Sequence, residues 1–582
     1  MKLPSLKIHN YRGILDQEIT LKNYSLLVGP NNAGKSSVID AIRAFYEKDG
    51  FKFKRENDFP FISTSDNESW IELMFSLTDP EYASLPDDCK ATQNQLCVRK
   101  YFATEQKMGD GKPATGYIFA YKTDGSLANT PFHGARNVQS GKFGDLVYIP
   151  AISKVDEHAK LSGPSALRDL LTDIMTDVVE AGDAYRNFTA SVQAFSESIV
   201  SEKTGDNRSL AGFESELNLL LQPWDTEFAL KFPTPSAAEI IKSMLDWDLR
   251  DQAHGQRQSI DLYGSGFQRH FIYSLIQLGA RYIAKKEEKK TKEFAPSMTL
   301  VLFEEPEAFL HPPQQEVLAR SLRALASTDQ WQVVCATHSP QFVSKSADDI
   351  PAIVRLRRSR GEAAAFQIGD EAWAAIVDAN QVAVSIAAKY KSMTSGLHTD
   401  DAKAEMEAVK HLLWLNPDRS SMFFANHVLL VEGPTEVAFI NRLIGARKIQ
   451  NADCGLHVVD CLGKYNIHRF MNLLGHLGIP HSVIHDDDDN KDQHVEFNQL
   501  IQDSRHPTLT LEIQSIPGDL EKMLGVPPPK SDHRKPQHLL YLYETGQIDS
   551  ANVDAFCQLV ESSLPSKPAP EQATAESRAA GT

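Results

Sequence analysis

The sequence predicts an α/β protein built in two parts: an α/β head interrupted by a helical insertion, then a smaller Rossmann-like α/β domain. Three observations carry this. Apolar runs alternate with helical stretches over residues 1–165 and again from His427 onward, the grammar of βαβ units. A helical period fills residues 166–221. Several later apolar runs end abruptly in acidic residues, as buried strands of a parallel sheet do when their tips form a site. At 582 residues the chain is too long for one ordinary core and should divide into two or three.

Taken in order, Lys2–Ile8, Glu18–Leu21 and Ser25–Val28 read as strands, and a helix is predicted from Lys35 to about Glu47. From Ala166 to about Leu221 the apolar residues Leu170, Leu171, Ile174, Met175, Val178 and Val179 recur at helical spacing, without the sustained heptads of a long coiled coil. Phe228–Phe232 is strand-like, and a helix is predicted from near Gly266 to about Lys286, followed by a solvated loop over Lys285–Lys292. Met298–Phe303 and Trp331–Ala336 read as strands. The mixed, polar stretch from about Asp370 to Pro417 reads as a linker, His427–Val431 and His481–His485 as strands of the second domain, and the tail beyond Ser562 has almost nothing to bury. The expected boundaries are 1–165 and 228–390 for the head, 166–227 for a helical insertion that mediates dimerisation, 391–425 for the linker, 426–562 for the second domain and 563–582 for a disordered tail.

Composition excludes several classes. With 77 acidic and 60 basic residues the net charge is −17, so bulk attraction to nucleic acid is absent and any such contact needs a local basic patch or bridging cations. The six cysteines form no CxxC pair and no tetrahedral zinc spacing, which fits a reduced, cytoplasmic setting. Met1–Asn10 lacks the apolar core of a signal peptide. No apolar run approaches the roughly 20 residues that cross a bilayer, so no membrane partner is expected.

The strongest local signal is Gly29-Pro30-Asn31-Asn32-Ala33-Gly34-Lys35-Ser36, with Ser37 following, between an apolar strand and a helix. This is P-loop spacing. Glycines let backbone N–H groups turn inward around phosphate oxygens, the helix dipole adds to them, Lys35 neutralises the outer phosphates and Ser36 can ligate Mg²⁺. Far downstream, Met298–Phe303 runs into Glu304-Glu305-Pro306-Glu307, a Walker B pattern. Glu304 is placed to organise the magnesium shell and Glu305 to polarise the attacking water. One strand later, His338 in Thr337-His338-Ser339 is placed to contact the γ-phosphate.

Leu262-Tyr263-Gly264-Ser265-Gly266-Phe267-Gln268-Arg269, ahead of a helix, resembles the signature motif of ABC ATPases. The resemblance implies that Ser265 and Gly266 bind the γ-phosphate held by a partner head, so that ATP is sandwiched in a dimer. Phe267 stands where a second glycine is usual, and Glu304 where Walker B usually has aspartate; both depart from the pattern at groups that bear on hydrolysis. Asn10-Tyr11-Arg12-Gly13 and the interrupted head resemble the SMC and recombination-repair branch rather than transporters.

In the second domain, His427–Val431 leads into Glu432-Gly433-Pro434-Thr435-Glu436, which sets one carboxylate at a strand tip and another on the first helical turn. His481–His485 is followed by Asp486-Asp487-Asp488-Asp489. Residues two apart share a face, which favours Asp486 with Asp488 and leaves the Asp487/Asp489 frame open. Glu432 with a later Asp-x-Asp resembles Toprim, and Trp414–Arg419 leading through Phe423–Ala425 resembles the junction of the OLD (overcoming lysogenization defect) family.

That resemblance implies an ABC-type ATPase head joined to a Toprim nuclease. It adds Asp519 and Glu521 as further acidic ligands and Lys535 as the lysine that stabilises the pentavalent phosphate; Gly463-Lys464 also matches a loop of the family. The implied cofactors are ATP and two Mg²⁺ or Mn²⁺ ions per nuclease site. The implied chemistry is DNA nicking or cleavage, gated by the heads, often in anti-phage defence. Implied partners are DNA, a second copy or higher homo-oligomer and, in Gabija-like systems, a second protein such as a helicase. Two rivals stand beside it: an ATP-gated DNA clamp whose acids are structural, and a nuclease acting on tRNA or other RNA. Arg355, Arg357, Arg358 and Arg360 offer contacts to phosphate backbones, with a solvated strand edge the preferred reading.

Overall fold

The computed structural model describes residues 1–47, 50–108, 111–132, 143–151, most of 175–244, short pieces between 249 and 298, then 298–343, 349–390, 416–450, 455–490 and 492–565. The chain forms two compact units. One comprises Met1–Leu146, Glu293–Glu307 and His311–Thr582, the other Val147–Lys292 with Ala308–Leu310.

The first unit contains three sheets. An antiparallel sheet is built on β1 (Lys2–Tyr11), flanked by β2 (Ile14–Thr20) and β4 (Ser69–Ser76), and extended by β5 (Gln95–Ala103) and β6 (Ile118–Ala120). The two strands β8 (Leu249–Arg250) and β9 (Arg257–Gln258) belong to the other unit. A mainly parallel sheet has the order β13-β12-β3-β11-β10, from β3 (Tyr24–Val28), β10 (Thr299–Glu304), β11 (Trp331–Ala336), β12 (Ile353–Ser359) and β13 (Glu362–Gln367), with β13 antiparallel. β7 (Asp145–Ile149) begins beside β10, the Asp145 N–H donating to Met298 O over 2.7 Å.

β3, β10 and β11 supply the fully apolar centre: Leu26, Leu27, Val28, Leu300, Val301, Leu302, Val333 and Val334 are all buried. Each such side chain stabilises the fold by about 1.5–3 kcal/mol when removed from water. Parallel register brings the C-terminal ends of β3, β10 and β11 to one edge, so the loop after Val28, the acids after Phe303 and the segment after Ala336 emerge side by side. This is where α/β sheets bind ligands.

The third sheet is all parallel, in the order β15-β14-β16-β17, from β14 (His427–Val431), β15 (Leu456–Asp460), β16 (His481–Asp486) and β17 (Thr510–Ile516). β14 is buried along its whole length, and Leu429, Val431, Ile484 and Ile516 share a core with Phe439, Leu443, Leu539, Phe556 and Val560 from the covering helices. The order again places the carboxyl ends of β14 and β16 together.

Three expectations need correction. Asp370–Ala387 is an 18-residue helix, with Ile376, Val377, Asn380, Ala383, Ile386 and Ala387 buried, rather than linker. Acidic residues and alanines on its exposed face, and a buried amide within the stripe, masked the helical spacing. Phe228–Leu230 lies outside any strand. Arg355 is fully buried rather than at a solvated edge: its guanidinium donates to the carbonyls of Phe423 (3.3 Å), Gly478 (2.9 Å) and Ala425 (3.0 Å). β12 thereby reaches from the head sheet into the third sheet's domain. The same contact has Gly478 at φ +64°, where a Cβ would stand 2.5 Å from the Phe366 ring.

In the second unit, helices Asp183–Ser201 and Leu210–Leu221 pack on each other, and Ser209 caps the latter by accepting from Gly212 N–H. They leave Phe195, Phe213, Leu219, Leu220 and Trp224 more than half exposed. Most of the stretch from 152 to 174, the acidic and basic loop 285–292, the segment 391–415 and the tail from 566 lie outside the described residues.

Candidate functional site: a phosphate loop and an acidic strand-tip cluster

The loop after β3 is shaped by its glycines. Gly29 sits at φ +137°, and a Cβ there would come 2.2 Å from Leu356 O, so only glycine lets the loop leave β3 against β12. Gly34, at φ +106°, caps the helix Lys35–Tyr46, whose first N–H groups face the loop. A cavity of about 600 Å³ opens over it, lined by Asn31, Asn32, Gly34, Lys35, Ser36 and Ser37 from the loop, and by Glu305 and His338 from the neighbouring strand ends. The volume is that of an ordinary small-ligand site.

Lys35 is buried, and its ammonium donates to Gly29 O and Pro30 O, both at 2.8 Å. Burial pulls its pKa down to about 8, against the pull of Glu305 and Glu307. The ammonium is folded back on its own loop, desolvated and short of negative charge. Glu304 ends β10, and Glu305 follows at φ +43°, its N–H donating to Ala336 O at 2.7 Å and its carboxylate 3.8 Å from His338 Nε2. Burial, and then Lys35, holds the His338 pKa below that of free imidazole, so the ring is a neutral hydrogen-bonding partner at pH 7.

Two contributors were not singled out from the sequence. Glu307 accepts from the Thr337 hydroxyl (2.7 Å) and from the His338 N–H (2.5 Å) and so fixes the loop after β11; burial raises its pKa. Arg358 reaches the cavity from β12 and donates to Asn32 Oδ1 at 3.0 Å. The acid run 304–307 and the arginine run 355–360 were the available signals, but pairing them with the loop needs the strand order. Arg12 also lines the cavity and is held by Asp40 (2.7 Å) and Asp58 (2.9 Å). Ser265 lies outside the described residues. Gly266 opens a helical turn, and Phe267 stacks on Tyr263 with ring centroids 4.5 Å apart.

The second cluster stands at the tips of β14 and β16. Glu432 accepts from the Asp486 N–H at 2.8 Å, and Glu436 from the Gly433 N–H at 3.0 Å. Burial pushes the Glu432 and Glu436 pKa values up to about 7, Glu432 raised further by Glu436 and Asp488, and Glu436 by Glu521. Asp486 is pushed up to about 9, first by burial and then by Glu432, Glu436, Asp488 and Asp519. Six carboxylates from three separate segments, 432–436, 486–488 and 519–521, are therefore linked electrostatically. Lys535 stands 3.6 Å from Glu521, and Asp519 caps the short helix Leu520–Leu524 through the Lys522 N–H.

The two aspartate frames separate. Asp487 Oδ1 accepts from the N–H groups of Gly518 (2.6 Å) and Asp489 (2.9 Å), and Asp489 pairs with Lys522. Asp486 and Asp488 are instead the aspartates coupled electrostatically to the glutamates. Buried Lys464 donates to Asp486 O (2.5 Å) and to the Asp488 carboxylate (2.7 Å), so it supplies positive charge inside the cluster. Its sequence signal was the Gly463-Lys464 pair alone. His494 adds a contact to Asp488 at 3.0 Å.

Among the described residues no group of three or more His, Cys, Asp or Glu side chains converges closely enough to hold a metal ion. The donor chemistry nevertheless fits a hard divalent cation: oxygen ligands only, buried, and short of positive charge at Glu432, Glu436 and Asp486. Glu432 and Asp486 stand at adjacent strand tips, with Glu436, Asp488, Asp519 and Glu521 coupled to them.

Comparison with known proteins agrees with this division. The family model described as "AAA ATPase domain" matches residues 1–123 and 145–343. That described as "Overcoming lysogenization defect protein-like, TOPRIM domain" matches 423–488, from the junction through the Asp486–Asp488 tip. The chain is 26% identical over 508 residues to the Old nuclease of Escherichia phage P2, covering 84% of this chain and 77% of that protein. It is 22% identical over 506 residues to Endonuclease GajA of Bacillus cereus, covering 84% and 75%. To the OLD nuclease of Thermus scotoductus it is 26% identical over 267 residues, 43% of this chain and 44% of that one. The chain belongs to the AAA ATPase domain family and carries, beyond that head, a Toprim domain of the overcoming lysogenization defect type.

Proposed function

We propose that the protein is an ATP-dependent endonuclease that cleaves or nicks DNA at the Toprim cluster, with two Mg²⁺ or Mn²⁺ ions, under control of the ATPase head, in anti-phage defence. The observation that carries the reading is that Glu432 and Asp486 stand at two adjacent strand tips, with Glu436 and Asp488 electrostatically coupled to them, in a chain whose relatives are named as nucleases. When bound, the cations supply Lewis-acid activation of water and stabilisation of the leaving oxygen. Glu432 and Asp486 hold them from the sheet, Glu436, Asp488, Asp519 and Glu521 complete the shell, and Lys535 offers charge to the phosphate in the transition state.

In the head, Lys35, Ser36 and the N–H groups of Asn31, Asn32, Gly34 and Ser37 hold the triphosphate, Glu304 organises Mg²⁺, Glu305 orients the attacking water and His338 contacts the γ-phosphate. Ser265 and Gly266 of a second copy close over it. The half-exposed Phe195, Phe213, Leu219, Leu220 and Trp224 favour the insertion as the dimer surface, since an exposed apolar patch of this kind marks an interface. The proposed boundaries are a head of 1–165 and 228–390, an insertion of 166–227, a linker of 391–425 and a nuclease domain of 426–562, in a cytoplasmic protein, with a helicase as a further partner in systems that have one.

The test is plasmid cleavage with Mn²⁺, with ATP, with a non-hydrolysable analogue and without nucleotide. Glu432→Ala is expected to lose nicking by about 10²-fold or more while ATP turnover persists, and Lys35→Ala to lose ATP turnover by a similar factor. ATP-dependent DNA binding without cleavage identifies a clamp, and cleavage of RNA alone a different substrate class; either result removes the proposal.

A further inference from the structure

The cavity over the phosphate loop has one end that phosphate binding does not use. Among the described residues lining it, Phe61 and Ile62 are the only large apolar ones; the rest are glycine, alanine, polar or charged. Phe61 exposes 87% of its surface. A phenyl ring left in water gives up the stabilisation that burial would return, and this one lines a built cavity rather than a plain surface.

The wall that leads to it is continuous. A Cβ built on Gly34 would lie 3.0 Å from the Ala363 methyl, which places β13 against the phosphate loop. Gly361, two residues earlier at φ +89°, would set a Cβ 2.8 Å from Ile62 Cγ2, so the absence of a side chain there lets Ile62 close down on the hairpin. Gly361 O in turn lies 3.0 Å from a Cβ built on Gly13. The cavity thus runs from Lys35 and Ser36, past Ala363 and Gly361, to Ile62 and Phe61. Lys35 and the loop N–H groups lie at one end of this run of contacts, and the apolar side chains of Ile62 and Phe61 at the other. A nucleoside triphosphate has the same polarity, with anionic oxygens at one end and a π-faced ring at the other.

We propose that Phe61, seated on Ile62, is the stacking platform for the base of the nucleotide whose phosphates the Lys35–Ser36 loop holds. The inference rests on the reading of that loop as a nucleotide site and adds to it the element that binds the base. Stacking recognises a π-face rather than a pattern of donors, so Phe61 supplies affinity for a purine and little choice between ATP and GTP.

Calorimetric titration of the full-length protein with Mg²⁺ separates the contributions, using ATP, GTP and inorganic tripolyphosphate as ligands. Base–aromatic stacking of about 1–3 kcal/mol corresponds to roughly 5- to 150-fold in Kd. Phe61→Ala is expected to weaken ATP and GTP within that range and leave tripolyphosphate within about twofold. Phe61→Trp restores or tightens both nucleotides. Equal weakening of tripolyphosphate would mean that Phe61 merely shapes the loop, and an unchanged ATP Kd would mean that the base sits elsewhere; either overturns the proposal while Lys35→Ala still abolishes binding of all three ligands. Should Lys35→Ala leave all three unaffected, the nucleotide-site reading itself is wrong, and the base platform falls with it.

Discussion

Asp486→Asn is expected to make the metal-free protein more resistant to heat at pH 8 while abolishing its response to Mn²⁺ and its DNA cleavage. The physical reason is the environment of the carboxyl group, which burial and four neighbouring acids push up to about 9. Between the ordinary carboxylate pKa and about 9 the folded state therefore holds a proton that the unfolded chain has released. When the folded form binds more protons, stability falls as pH rises. Glu432 and Glu436, pushed up to about 7, act in the same direction over a narrower window.

Metal-free wild type should accordingly lose thermal stability on going from pH 5 to pH 9, by about 5 °C or more in the Toprim transition. A divalent cation restores it by replacing the missing protons. Asparagine keeps the shape, needs no proton, and removes the largest share of that slope, but cannot lend anionic charge to a cation. Its expected signature is a higher Tm without metal, no Mn²⁺-dependent rise and a loss of cleavage of about 10³-fold. A variant with a lower metal-free Tm, or one with an intact Mn²⁺ shift, would show that Asp486 is not at the cation-binding centre. Differential scanning calorimetry across pH, with and without Mn²⁺, reads all three terms.

Arg355→Ala is expected to cost about 3–5 kcal/mol of stability, the usual penalty for removing one side of a buried charged interaction. The guanidinium is fully buried and donates to the three carbonyls of Phe423, Ala425 and Gly478. Burial, and then Arg357, lowers its pKa to about 9, which leaves it charged at neutral pH. Carbonyl dipoles thus do the work that water would do, and removing the cation strands three acceptors in the interior. Methionine fills the volume but donates nothing, so Arg355→Met should lose nearly as much. Lysine offers a single point of donation instead of a planar fork and should fall between. Urea unfolding, followed by tryptophan fluorescence, is expected to show an earlier midpoint in the order lysine, methionine, alanine. If alanine unfolds within about 1 kcal/mol of wild type, the three hydrogen bonds do not hold β12 to the second domain.

The phosphate loop and the two acidic strand tips were legible because each is contiguous. Gly29 and Gly34 dictate a left-handed turn and a helix start over a few residues, and an apolar run ending in Glu304 or Asp486 announces a strand tip by composition alone. The helix Asp370–Ala387 was also readable: Ile376, Asn380, Ala383 and Ala387 recur at helical spacing, but alanine and amide content weighed toward a linker.

Other contributors carried no local signal of their role. Nothing near Glu307 says that its carboxylate will meet the Thr337 hydroxyl, 30 residues on, and nothing near Lys464 says that it will reach Asp488. Asp487 and Asp489 are chemically identical to Asp486 and Asp488; the Gly518 N–H and the Lys522 ammonium engage the first pair, while Lys464 engages Asp488 and the Asp486 N–H reaches Glu432.

The sequence by itself determined which short segments bear phosphate-cradling backbone and which strand tips bear acids, since φ preferences and apolar periodicity act over neighbouring residues. Only the tertiary structure decided which of those tips lie side by side, that Arg355 is interior while Arg358 lines the cavity, and that Phe61 lines it as well. Strand order and packing bring together residues separated by tens to hundreds of positions, and a one-dimensional pattern contains no term for that proximity.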